Sequence, residues 1–161
     1  MTTKETYATF ESKQSLYMDN SNVWFVNHKN NDEVIMKALT MIINSNIFSV
    51  FAKCGANQAS NGYYKFNKQF IEPVPLPNKK LKNTNKSVKD LASLYDELKE
   101  LLKEYGKAIA NDKLMYKGVM ASKWKIVDEL CYKLYGIDKE DKAIIENVGR
   151  TESRIPGGNE D

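Results

Sequence analysis

The residues able to carry chemistry in this chain are few, and they cluster. Asn57, Gln58, Ser60 and Asn61 lie close together, and Tyr63, Tyr64, Lys65 and Lys68 follow at once. Amides and hydroxyls both donate and accept hydrogen bonds, which suits the reading of base edges and suits ordinary turns equally well. Lysine is a point charge that meets phosphate without reading sequence, and an aromatic ring can position or stack on a partner. Catalytic constellations are missing by comparison. His28 is the only histidine, so no Ser/His/Asp or Cys/His system is credible and a metal site lacks ligands. Cys54 and Cys131 show no CxxC or histidine spacing. With no signal peptide ahead of them, they read as two small core residues in a reducing cytoplasm.

The stretch that must position these residues runs from Asn61 to Pro77. Asn61-Gly62 is a turn signal, because glycine reaches positive φ without a Cβ clash. Tyr63 to Phe70 alternates well enough for a strand, with Tyr64 and Phe66 on one side and Tyr63, Lys65 and Asn67 on the other. Pro73, Pro75 and Pro77 then fix an extended exit. Composition alone makes this a core strand with a proline-rich exit, and makes residues 56–62 a polar turn.

Charge is unevenly placed. The net charge is +3, yet eight lysines and one acid, Glu72, lie between residues 53 and 89, leaving +7 there and −4 elsewhere. A basic block on a mildly acidic chain suits a side that faces a polyanion. For residues 79–89 a solvated lysine-rich loop accounts for it as well. No apolar run reaches membrane-spanning length. At 161 residues with 42% hydrophobic composition, the chain can bury a core of its own.

The flanking elements follow from periodicity. Leu16–Met18 and Val23–Val26 predict a hairpin about a polar turn. Asp32 caps a helix with Ile35, Ala38, Leu39 and Ile42 on one face, and Ser45 caps a second carrying Ile47, Phe48, Val50 and Phe51, which stops near Gly55. Ser87 opens a third, best-patterned helix. Its Val88, Leu91, Tyr95, Leu98, Leu102, Tyr105 and Ile109 are spaced 3, 4, 3, 4, 3, 4, a heptad seam. Residues 111–121 read as a break or a less ordered connection. Ser122 starts another helix that Gly136 closes, and Asp138 caps a last one ending at Gly149.

Several pieces taken in order resemble a known family. Asn44-Ser45 opening an apolar helix, the polar loop, Gly62-Tyr63-Tyr64-Lys65-Phe66, Lys68-Gln69-Phe70 and Pro75-Leu76-Pro77 are similar to the C-terminal specificity domain of TaqI-type N6-adenine DNA methyltransferases. The same domain occurs in single-chain type II restriction–modification enzymes and is similar to the target-recognition domains of type I specificity subunits. The stronger match covers Ala38 to Pro77. A weaker one runs through Val127-Asp128-Glu129-Leu130 and Leu134-Tyr135-Gly136-Ile137.

The resemblance implies a sequence-specific module that binds double-stranded DNA. Base edges would be read from Asn57, Gln58, Ser60 and Asn61, Tyr63 and Tyr64 would position or stack, and Lys65, Lys68 and additionally Lys53 would meet phosphates. It implies a catalytic methyltransferase domain preceding this region in a parent chain. S-adenosylmethionine would be a cofactor of that parent, with none bound here. The chain itself has no Pro-Pro for an adenine-holding motif and no glycine-rich strand–helix junction. Asp90 or Asp96 with Glu97-Leu98-Lys99 matches a nuclease pattern on paper, but on the polar side of a heptad helix rather than on strands.

The expected fold is therefore α+β. Residues 1–77 form an N-terminally incomplete recognition domain, with a small, mostly antiparallel sheet from 15–26 and 62–70 and helices at 33–54. Residues 78–86 are a linker, 87–149 a helical region, and 150–161 a flexible tail. The alternative is a helical protein-interaction or oligomerisation module, in which the Val88–Ile109 seam pairs with a partner as a coiled coil.

Overall fold

The computed structural model describes residues 4–11, 26, 28–149 and 154–155, with Ser60 described for its backbone alone. These residues are mostly helical, with one two-stranded antiparallel sheet. That is an α+β composition with the balance far towards helix. The elements in order are α1 (Glu33–Ile43), α2 (Asn46–Gly55), β1 (Asn57–Gln58), β2 (Tyr64–Lys65), α3 (Lys68–Ile71), α4 (Lys86–Lys107), α5 (Ala110–Tyr135) and α6 (Lys139–Val148).

Local capping chemistry sets most helix starts. The Asp32 carboxylate accepts from the Ile35 N–H, and the Ser45 hydroxyl accepts from the Phe48 N–H. The Asp138 carboxylate takes both Glu140 and Asp141. Each such contact satisfies a donor that a helix start leaves unpaired, and is worth about 1 kcal/mol. Gly136 ends α5 at φ 77, and Gly136 and Ile137 both donate to the Tyr132 carbonyl.

One apolar core draws on α1, α2, α4, α5 and α6, with Val74 from the proline-rich exit. Val88, Leu91 and Leu98 of the heptad seam are buried in it. Each contributes about 1.5–3 kcal/mol relative to exposure. α4 packs against α1 on one side and α5 on the other. The Tyr105–Lys113 ring contact and the Glu97–Lys123 ion pair mark α4 and α5 as antiparallel neighbours. The core does not divide at residues 78–86, so the expected domain boundary is not a boundary of the interior.

Three expectations need correction. The strand predicted over 62–70 is only Tyr64–Lys65, and its partner is Asn57–Gln58, from the stretch read as a turn. The alternation of period two ends at Phe66. Beyond it Phe70 and Ile71 half-bury themselves from the short helix α3. Residues 111–121 are not a break: α5 runs through them, and Ser122 lies in its interior. Leu114, Met115, Met120 and Ala121 are good helix formers, and a single Gly118 costs only about 1 kcal/mol. α4 begins at Lys86 with Asn85 as its cap, not at Ser87. The hairpin expected over 15–26 lies outside the described residues except for Val26, which is exposed, and so does its pairing with the Gly62 region.

α1 and α2 meet at 65° about Asn44-Ser45. The Asn44 amide is buried there and bonds Ala8 in both directions, accepting from its N–H at 3.0 Å and donating to its carbonyl at 2.8 Å. Thr6 donates to the Ile43 carbonyl, and Tyr95 donates to the Phe10 carbonyl. Residues 5–10 are thereby tied to α1 and α4. Among the described residues, no single helix is long and apolar enough to cross a membrane.

Candidate functional site

The elements around the amide–tyrosine–lysine cluster form a small hairpin at the end of α2. Helix α2 stops at Gly55, and Ala56 turns the chain into β1. Asn57 pairs with Lys65 and Gln58 with Tyr64. The Ala59 N–H donates to the Tyr63 carbonyl at 2.7 Å and closes the loop. Asn61 and Gly62 at its tip sit at φ 61 and φ 73, both left-handed. Asn61-Gly62 marked the turn in the sequence, but with five residues between the paired strands it did not mark where β1 lies.

The hairpin brings most of the expected residues to one place. Asn57, Gln58, Asn61, Tyr63 and Lys65 are exposed. Tyr64 is half-buried and stacks on Phe66, with ring centroids 5.7 Å apart and planes 23° from parallel. Lys4 lies 5.5 Å from the Tyr63 ring centroid, a contact that residues 1–14 gave no reason to expect. Lys65 makes no ion pair among the described residues. Its exposed ammonium is therefore available to a partner.

Two of the lysines stand differently. Lys68 lies in α3, where it meets Glu72 at 3.3 Å with both side chains exposed. An exposed pair of this kind is worth about 0–1 kcal/mol, so a phosphate can displace the carboxylate. The strand ends before Lys68, and Asn67 turns the chain into α3. This is the irregularity the two lysines need, since three residues apart on one regular strand they would face opposite sides. Lys53 is turned inward. Its ammonium bonds Glu5 at 2.7 Å and the Gly149 carbonyl at 3.1 Å, and lies 5.9 Å from the Tyr64 ring centroid. Glu5 is fully buried and also accepts from the Ser49 hydroxyl. Lys53 thus neutralises a buried acid beneath the hairpin and is not placed to meet phosphate.

A second polar cluster fixes the start of α2. Asp128 of α5 accepts from the Asn46 N–H at 2.9 Å and takes both ends of the Arg154 guanidinium, at 3.0 and 2.7 Å. Arg154 lies 4.5 Å from the Trp124 ring centroid. The carboxylate sits at the positive end of the α2 dipole, where anions are stabilised. Nearby Cys131 is wholly buried, and burial pushes its thiol up to about 12. It is an interior residue, while Cys54 is exposed, against the expectation that both lie in the core.

Among the described residues, no group of three or more His, Cys, Asp or Glu side chains is placed to hold a metal ion. Asp96 and Glu97 of the paper nuclease pattern are engaged with Lys37 and Lys123 on the flank of α4. Comparison with protein families, with curated proteins and with solved structures finds no match to this chain.

Proposed function

We propose that this chain is a sequence-reading DNA-binding module, the specificity region of a restriction–modification adenine methyltransferase whose catalytic domain and S-adenosylmethionine site lie in a preceding part of a parent protein. The observation that carries the reading is the β1–β2 hairpin. It sets the exposed amides of Asn57, Gln58 and Asn61 beside the exposed Lys65. A two-stranded ribbon fits the major groove, where amide side chains match the donor–acceptor pattern of adenine. Lysines beside it suit flanking phosphates. A further support is that Asn44-Asn46 and Val127–Leu130, distant parts of the resemblance, meet through the Asn46–Asp128 hydrogen bond.

The test is a salt-titrated binding assay of this chain on a panel of short duplexes. Replacing Lys65 or Lys68 by alanine weakens binding to every duplex alike and lowers the salt slope by about one unit each. Replacing Asn57, Gln58 or Asn61 changes the preferred sequence, at about 1–3 kcal/mol for the base concerned. A uniform loss from the amide replacements would show that the hairpin reads no bases.

A second reading is favoured by the far end of the α4–α5 pair. The seam's first half is used up inside the core, but Leu102, Ile109, Leu114 and Met115 are exposed, with Leu114 at 75%. In this reading the far end joins a second copy of the chain. Sedimentation at increasing concentration, with Ile109 and Leu114 replaced by glutamate, separates it from the first.

A further inference from the structure

The segment between Pro77 and α4, a polar and lysine-rich linker by sequence, is built as a hydrogen-bonded loop. Lys80 and Leu81 donate to the Pro77 carbonyl, and Asn85 donates to the Lys82 carbonyl. The Asn85 side chain holds the Lys80 carbonyl at 3.0 Å and caps the Ser87 N–H at 2.9 Å. Asn83 bonds Asp32 at 2.7 Å, and Leu81 packs against the core. A merely solvated tether has no need of this framework.

From this fixed loop and the start of α4 the lysines are displayed without compensation. Lys79, Lys82, Lys86 and Lys89 are exposed and make no ion pair among the described residues. Elsewhere the practice is mixed: Lys37, Lys53, Lys68, Lys103, Lys107, Lys123 and Lys142 each face a carboxylate, while Lys65 does not. Asp32 is the acid bonded to the loop, and it is engaged with Asn83 and the start of α1. The charge also runs against helix electrostatics. α1, α5 and α6 carry acids in their first turns, whereas α2, α3 and α4 carry none, and α4 opens with Lys86. A cation at that end opposes the dipole.

We propose that Lys79, Lys82, Lys86 and Lys89 form a second, sequence-independent contact surface for the phosphate backbone of duplex DNA, separate from the β1–β2 hairpin. This rests on the DNA-binding reading above and adds where the non-specific part of the affinity resides. Exposed ammonium groups carried on one hydrogen-bonded loop and the helix start beside it suit a phosphate backbone, and their occupancy releases counterions from the duplex.

The experiment compares the full chain with K82Q/K86Q/K89Q by fluorescence anisotropy on labelled duplexes of matched and scrambled sequence, titrated with salt. The triple variant loses affinity equally on both duplexes, its salt slope falls by about three units, and its melting temperature is no lower than the parent's. An unchanged salt slope in a chain that still binds duplex overturns this surface and leaves the hairpin reading standing. Failure of the unaltered chain to bind any duplex overturns both. Binding of poly-glutamate that is as tight as duplex and depends on the same lysines would reassign the surface to an acidic protein partner. A melting temperature that drops with the loss of affinity would show the lysines to be structural.

Discussion

Replacing Asp128 by asparagine removes one negative charge and almost no volume. The carboxylate and the Arg154 guanidinium are 8% and 14% exposed, and three hydrogen bonds of 2.7–3.0 Å end on the two carboxylate oxygens. Removing one partner of a buried ion pair costs about 3–5 kcal/mol, because the other charge is left without compensation. Asparagine still offers an oxygen to the Asn46 N–H, and Arg154 keeps the Trp124 ring beneath it, so the lower figure, about 3 kcal/mol, applies. For a chain of this length that is a fall in Tm of roughly 6–12 °C. The assay is thermal and urea unfolding of the parent, D128N, R154M and the double variant. The double variant should be more stable than the sum of the single losses by about 1–3 kcal/mol. A D128N protein within 1 kcal/mol of the parent, or single losses that simply add, would refute the view that this pair clamps α5 to the start of α2.

Other outcomes follow from the same geometry. K53M takes the ammonium away from buried Glu5, so the chain loses about 3–5 kcal/mol by urea unfolding, whereas the salt slope for any DNA binding stays unchanged. A thiol reagent at mildly alkaline pH modifies Cys54 in the folded chain and reaches Cys131 only on unfolding, because burial holds that thiol up to about 12. Burial also pushes Tyr132 up to about 12 and Tyr135 higher still. The folded chain then keeps protons that the unfolded chain releases from about pH 10. Stability is full below that pH and declines as the pH rises towards 12. An alkaline series of unfolding midpoints that stays level from pH 9 to 12 would contradict it.

What was legible in the sequence was local. Asp32, Ser45, Asp138 and Gly136 each act within a few residues of themselves, and each stands where its cap chemistry places it. The apolar faces of α1 and α2 and the first half of the α4 seam were legible too, because one side of each helix meets the core. α5 was read as interrupted because its first half projects past that core, so its Leu114 and Met115 follow no buried face. The cluster at residues 57–65 was found by residue type. Its strand partner was missed because two-residue strands carry too little alternation to register. Asp128, 82 residues from Asn46, and Lys53, 48 from Glu5, were invisible in their true roles. Ion pairs between distant segments leave no spacing to read. Lys53 was therefore assigned to the outside when it serves the inside.

The left-handed backbone at the hairpin tip sets limits on how such a module can diversify. Asn61 holds φ 61, a conformation that only glycine, asparagine and aspartate adopt at little cost. A lineage that altered its preferred partner by changing Asn61 would soon exhaust the residues the turn accepts. Asn57 and Gln58 sit on extended backbone that any side chain but proline tolerates, and both point into open solvent. Variation is therefore channelled to positions 57 and 58, while 61 stays narrow for reasons of shape. A library randomised at all three positions and selected only for folding should keep asparagine, aspartate or glycine at 61 and let the other two drift.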